Sequence, residues 1–176
     1  MKSFFKSLFN FVNSLPLRLI FAAMGMTGVG FVISGVVLVH LTRIKVCYYC
    51  NFQRFMYLTI GFIAFVGVVL PRLSKLWNIL ISLVALGGAA TAIYQSWLQL
   101  NPNPSMECGI GDPTLLESFV NWLSTLWPSV FMVTGFCSDI DWVFMGFTLA
   151  NWSSLFFLSF FAAQLYLLFC YPQHKS

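Results

Sequence analysis

Four stretches of this chain run for the length of a lipid bilayer with almost no charge. Leu19 to Leu41, Leu76 to Trp97 and Trp152 to Tyr171 contain no Asp, Glu, Lys or Arg. From Cys47 to Leu70 the single charge is Arg54. A helix that spans a bilayer needs about 20 predominantly apolar residues. Hydrophobic residues make up 59% of the 176-residue chain and charged residues 8%, where a soluble domain carries roughly 25% charged residues. So few charges cannot cover so apolar a core in water, and the solvent of this chain is largely lipid. The expected fold class is therefore all-α: a four-transmembrane-helix bundle forming one integral membrane domain over residues 1–176. Spans are expected at about 19–41, 47–70, 76–97 and 152–171, with outer loops at 42–46 and 98–151.

Small residues recur inside the spans, among them Gly25, Gly28 and Gly35, and the run Gly87-Gly88-Ala89-Ala90. They let helix backbones approach where lipid provides no hydrophobic drive for packing. Pro102 and Pro104 end the third span. Residues 1–18 place Phe4, Phe5, Leu8, Phe11, Val12 and Leu15 at helical spacing beside Lys2, Lys6 and Arg18. This is the pattern of a short helix lying on the membrane surface. A cleaved signal peptide is the competing reading, but polar residues interrupt the run and no A-x-A site follows.

Orientation follows from the nine lysines and arginines. Lys2, Lys6, Arg18, Arg72, Lys75 and Lys175 fall on one side of the bundle; Arg43, Lys45 and Arg54 fall on the other. The positive-inside rule puts the first side, with both termini, in the cytoplasm. The net charge of +4 is modest and unclustered, so the expected partner is a bilayer and not nucleic acid. The long outer loop holds every acidic residue of the chain. Within it, Leu115, Leu116, Phe119, Val120, Leu123, Leu126 and Trp127 share one helical face. Residues 114–127 are thus expected as an amphipathic helix flat on the outer surface.

Five cysteines are present, so at most two disulfides and one odd thiol can form. Cys47-x-x-Cys50 opens the second span. Cys108 and Cys137 flank the amphipathic helix, all facing the side where disulfides persist. A Cys108–Cys137 bond would close a loop of about 30 residues and contribute about 3–4 kcal/mol in the chain-entropy model. Buried, it would be structural; exposed between flexible limbs, it would exchange. The helix N-terminus favours a thiolate on the C-x-x-C pair, and Arg54 adds a positive charge one turn on. Such a sulfur is both nucleophile and leaving group. A thiolate at the lipid boundary needs an acceptor that dissolves in lipid. A quinone meets that need, with Arg54 able to hydrogen-bond its oxygen. Bland readings stand beside this one: Arg54 snorkelling to the interface, or structural disulfides with no turnover. A cysteine metal site is a further alternative, although the chain has two histidines on opposite sides, and no metal is expected. Cys170, near the cytoplasmic end of the last span, reads as an inert apolar side chain or a lipidation site. Trp77, Trp97 and Trp152 read as interfacial anchors.

These residues together resemble the disulfide bond formation protein B (DsbB) family, the quinone-dependent thiol oxidases of bacterial inner membranes. Cys47-x-x-Cys50-x-x-Gln53-Arg54 is similar to the family's C-x-x-C-x-x-[QE]-R. Trp97-Leu98-Gln99 before prolines resembles the end of its third span. Cys137, Trp142, Phe144, Gly146 and Trp152 follow its C-x4-W-x-F-x-G-x5-W pattern. The resemblance implies a periplasmic thioredoxin-fold partner, DsbA-like, forming a mixed disulfide with Cys108. Cys137 would then exchange with Cys47, leaving Cys50 as a thiolate facing ubiquinone or menaquinone from the membrane pool. Arg54 would stabilise that complex and Leu149 would lie near the ring. Gln95 stands where the family often has a histidine; it can still donate to a quinone oxygen but cannot titrate. The implied location is the bacterial inner membrane, multi-pass, with both cysteine pairs facing the periplasm.

Overall fold

A computed structural model describes residues 15–101, 113–140 and 142–170. Four helices in it are long and apolar enough to cross a membrane: α1 (Leu17–Thr42), α2 (Tyr48–Val69), α3 (Ser74–Leu100) and α6 (Leu149–Phe169). A 3-10 turn (Pro71–Leu73) joins α2 to α3. Between α3 and α6 lie α4 (Leu115–Leu126) and the single-turn α5 (Pro128–Phe131). The chain is an all-α, four-helix membrane protein with the amphipathic helix in its long loop. The expected surface helix at 1–18 falls almost wholly outside the described residues.

Helix ends differ from the expected spans for local reasons. The third helix runs on to Leu100, because no breaker precedes Pro102. The last helix starts at Leu149 and not Trp152, because the Thr148 side chain caps it by accepting from the Asn151 N–H. Helix α4 opens on a full capping box: Thr114 accepts from the Glu117 N–H, and Glu117 accepts from the Thr114 N–H at 2.7 Å. One element is additional to the expected helices. Strands β1 (Val143–Phe144) and β2 (Phe147–Thr148) pair antiparallel. Met145 and Gly146 at the tip both have positive φ, 54° and 81°. Positive φ at both central residues is what a two-residue turn matched to strand twist requires.

Within the bundle, α1 packs on α2, α2 on α3, and α3 on α6. Close approach is made at glycines. A Cβ on Gly28 would stand 2.9 Å from the Tyr57 carbonyl oxygen, and one on Gly88 would overlap the Phe157 ring at 2.4 Å. That ring stacks on Tyr57 with centroids 4.1 Å apart. Phe21, Ile60, Ala64, Ile81, Ala85 and Phe157 form the fully buried centre. Helices α1 and α6 meet through rings, Phe31 on Phe156 at 4.3 Å.

Candidate functional site

Cys47 is the N-cap of α2 and Cys50 lies in its first turn, which brings their sulfurs to 3.3 Å. The long loop is tied back onto this end. The Val46 N–H donates to Thr134 Oγ1 at 2.9 Å, and the Thr134 and Gly135 N–H groups donate to the Val46 carbonyl at 2.8 and 3.2 Å. Gly135 is required there, since a Cβ would fall 2.5 Å from Lys45 Cβ. Two residues on, Cys137 is 1% exposed and packed with Cys47 and Leu98. Residues from the short exit loop and from the far limb of the long loop thus meet at one point.

Two further groups surround the sulfurs. From α3, Gln95 is 3% exposed. Its Nε2 donates to Cys50 Sγ at 3.0 Å and to Cys47 Sγ at 3.4 Å. Its Oε1 accepts from Gln53 Nε2 at 2.9 Å. On the opposite side Arg54 is held by three hydrogen bonds. Its guanidinium donates to the Val130 carbonyl at 2.7 Å, the Gly35 carbonyl at 3.3 Å and Asn51 Oδ1 at 3.4 Å. Asn51, fully buried, donates to the Phe131 carbonyl at 2.8 Å. These bonds use the carbonyls at the end of α5, which would otherwise lack partners.

Arg54 and Cys50 also line an apolar cavity of about 220 Å³ between α1, α2 and α6. Three helical stripes build it: Phe31, Ser34, Gly35 and Leu38 from α1; Cys50, Gln53, Arg54 and Tyr57 from α2; Leu149, Trp152, Ser153 and Phe156 from α6. Each has the i, i+3, i+4, i+7 spacing of one helix face. Of the expected site residues, Cys50, Arg54 and Leu149 share this cavity. Cys47, Cys137 and Gln95 lie at the sulfurs; Gln95 is directed at them and does not line the cavity. Cys108 lies outside the described residues. Cys170 is exposed at the other end of α6.

Trp152, expected as an interfacial anchor, also forms a cavity wall and donates its indole N–H to the Phe144 carbonyl at 3.2 Å. Tyr57, Ser153, Phe31 and Phe156 went unmarked, although the three stripes were readable once each helix had a reference residue. Thr134 and Gly135 carry no such signal.

Three cysteines gathered beside an apolar cavity, at one end of a four-helix membrane bundle, define a membrane thiol–disulfide protein. The family model for "Disulfide bond formation protein DsbB" matches residues 17–167. Disulfide bond formation protein B of Dechloromonas aromatica (strain RCB) is 41% identical over 145 residues, covering 82% of this chain and 88% of that protein. Its counterpart in Azoarcus sp. (strain BH72) is 41% identical over 138 residues, 77% and 82% of the two chains. That of Acidovorax sp. (strain JS42) is 34% identical over 163 residues, 90% and 91%. The chain belongs to the DsbB family, and is thus a multi-pass, disulfide-generating membrane oxidoreductase.

Proposed function

We propose that this protein re-oxidises a soluble thioredoxin-fold dithiol protein, DsbA-like, and passes the electrons through two cysteine pairs to a membrane quinone. The observation that carries the reading is the shared position of Cys50. Its sulfur contacts Cys47, which touches Cys137, and it also lines the apolar cavity with Arg54. One residue stands between a thiol exchange path and a lipid-compatible pocket.

The partner's thiolate attacks a Cys108–Cys137 disulfide at Cys108, and Cys137 leaves as a thiolate. Cys137 attacks Cys47 of the Cys47–Cys50 disulfide, forming Cys47–Cys137 and releasing Cys50 as a thiolate. The partner's second thiol resolves the first mixed disulfide and releases Cys108, whose thiolate attacks Cys137. This re-forms Cys108–Cys137 and frees Cys47, so that Cys47 and Cys50 are left to give two electrons to the acceptor and close their disulfide again. Overall the partner loses two electrons and two protons. A quinone supplies a lipid-soluble two-electron acceptor, ubiquinone or menaquinone. The cavity suits its ring: Phe31, Leu38, Leu149 and Phe156 provide apolar walls, and Arg54 provides fixed donors beside Cys50. Arg54 holds positive charge where the acceptor oxygen gains negative charge.

The charge pattern supports an inner-membrane orientation with the cysteines in the periplasm. Arg18, Arg72 and Lys75 stand at the ends of α1, α2 and α3 remote from Cys47, while the exit loop beside Cys47 is short. Purified protein with quinone should oxidise a reduced thioredoxin-fold partner, followed as loss of free thiols. Cys47→Ser and Cys50→Ser should each abolish turnover. Normal rates in both variants would sink the proposal.

A further inference from the structure

The sulfurs have a neighbour whose role the relay alone does not require. Gln95 reaches across from α3 and places one NH2 group on both members of the C-x-x-C pair. A primary amide can turn end for end, presenting either its donor or its acceptor. Here Gln53 Nε2 donates to Gln95 Oε1 at 2.9 Å. With the acceptor end engaged, the donor end faces the sulfurs. Both amides are at least nineteen-twentieths buried, so water does not compete for either bond.

We infer that Gln53 and Gln95 form an oriented amide relay that donates to the departing Cys50 sulfur. This deepens the proposed function and rests on it. Gln95 touches the reacting atoms and is a catalytic residue of the exchange; Gln53 is a positioning residue. The physical basis is differential. A disulfide sulfur is a weak acceptor, whereas a thiolate is a strong one, and a hydrogen bond to an ionised group is roughly twice as strong as a neutral one. When Cys137 attacks Cys47, the Cys47–Cys50 bond breaks and its electron pair goes to Cys50. The donor at 3.0 Å gains most as that charge develops, so it favours the exchange over its reversal. Arg54 directs its hydrogen bonds elsewhere, to the Val130 and Gly35 carbonyls and to Asn51 Oδ1. The two groups divide the site: the amide serves the sulfur, and the guanidinium serves the cavity.

The test uses full-length, reduced, quinone-free protein in detergent. Iodoacetamide alkylation at neutral pH is followed by mass spectrometry at Cys50. In Gln95→Met, which keeps length and removes the donor, the Cys50 rate should fall about tenfold, as expected for one charge-assisted hydrogen bond. Gln95→His, which keeps an N–H donor, should restore most of the rate. Gln53→Met leaves Gln95 in place but releases its orientation, and should slow Cys50 about threefold. An unchanged rate in Gln95→Met, with its helical circular dichroism retained, overturns the inference. Should Gln95→Met fail to fold, an unchanged rate in Gln53→Met does the same. Because quinone is absent, this outcome is independent of whether quinone turnover is found. A parent protein that alkylates as expected but never reduces quinone would instead refute the proposed function.

Discussion

Arg54 carries two loads that a single substitution would remove together. It lines the cavity beside Cys50, and it joins α1 to the loop through the Gly35 and Val130 carbonyls. Arg54→Ala should therefore lower stability by about 1–3 kcal/mol, because two carbonyls lose a charged donor. It should also reduce quinone turnover by more than about tenfold. Arg54→Lys separates the effects: an ammonium keeps the charge but not the planar fork. We expect Lys to retain more turnover than Ala while melting well below the parent, read from thermal unfolding in detergent and a quinone assay. Cys170→Ser should leave both readouts within error, since Cys170 is exposed at the other end of α6. At this scale the sequence was informative about type and order. The C-x-x-C, the arginine one turn on and the distal cysteine are all visible in the chain. Invisible were the partners that fix them, such as the Val130 carbonyl, because backbone acceptors leave no mark in a side-chain pattern.

Helices in lipid pack by shape, so glycines at crossings should be unequal. A Cβ on Gly28 meets the Tyr57 carbonyl at 2.9 Å, whereas one on Gly30 meets nothing within 4 Å. We expect Gly28→Val to destabilise the bundle by about 1–3 kcal/mol through overpacking. Gly30→Ala should stay within about 0.5 kcal/mol. Equal unfolding midpoints for the two variants would show that α1 and α2 do not cross as described. On α4, Thr114→Ala removes the N-cap acceptor and half of a capping box. It should cost about 1 kcal/mol of local stability, seen as faster amide exchange over residues 115–120 with little change in α6. The α4 boundaries were legible because amphipathic period and cap coincide in the sequence. The start of α6 was not, because Phe144 and Phe147 continue the apolar run through a hairpin whose turn depends on the φ values of Met145 and Gly146.

Across the whole molecule the proposed orientation makes a simple demand. In a background without native cysteines, Asn101→Cys should react with a membrane-impermeant maleimide added outside intact spheroplasts. Leu73→Cys, in the turn between α2 and α3, should react only after the membrane is opened. The reverse pattern would place the cysteine pairs in a reducing compartment and remove the basis of the relay.

Length and charge alone determined that this chain lives in lipid as four helices, because no other arrangement tolerates such uncharged runs. The residue order of Cys47, Cys50 and Arg54 likewise fixed a thiol pair and a cation on the same helical end, since three and four residues make one turn. What only the folded bundle decided is who meets whom across distance. Residues 46 and 134 are joined by backbone bonds, Gln95 arrives from α3 to face the sulfurs, and a cavity opens where stripes of α1, α2 and α6 converge. Those contacts depend on how helices rotate about their axes and where a loop is tied down. Apolar sequences in lipid leave that rotation undetermined until close-packed glycines and a few buried hydrogen bonds select it.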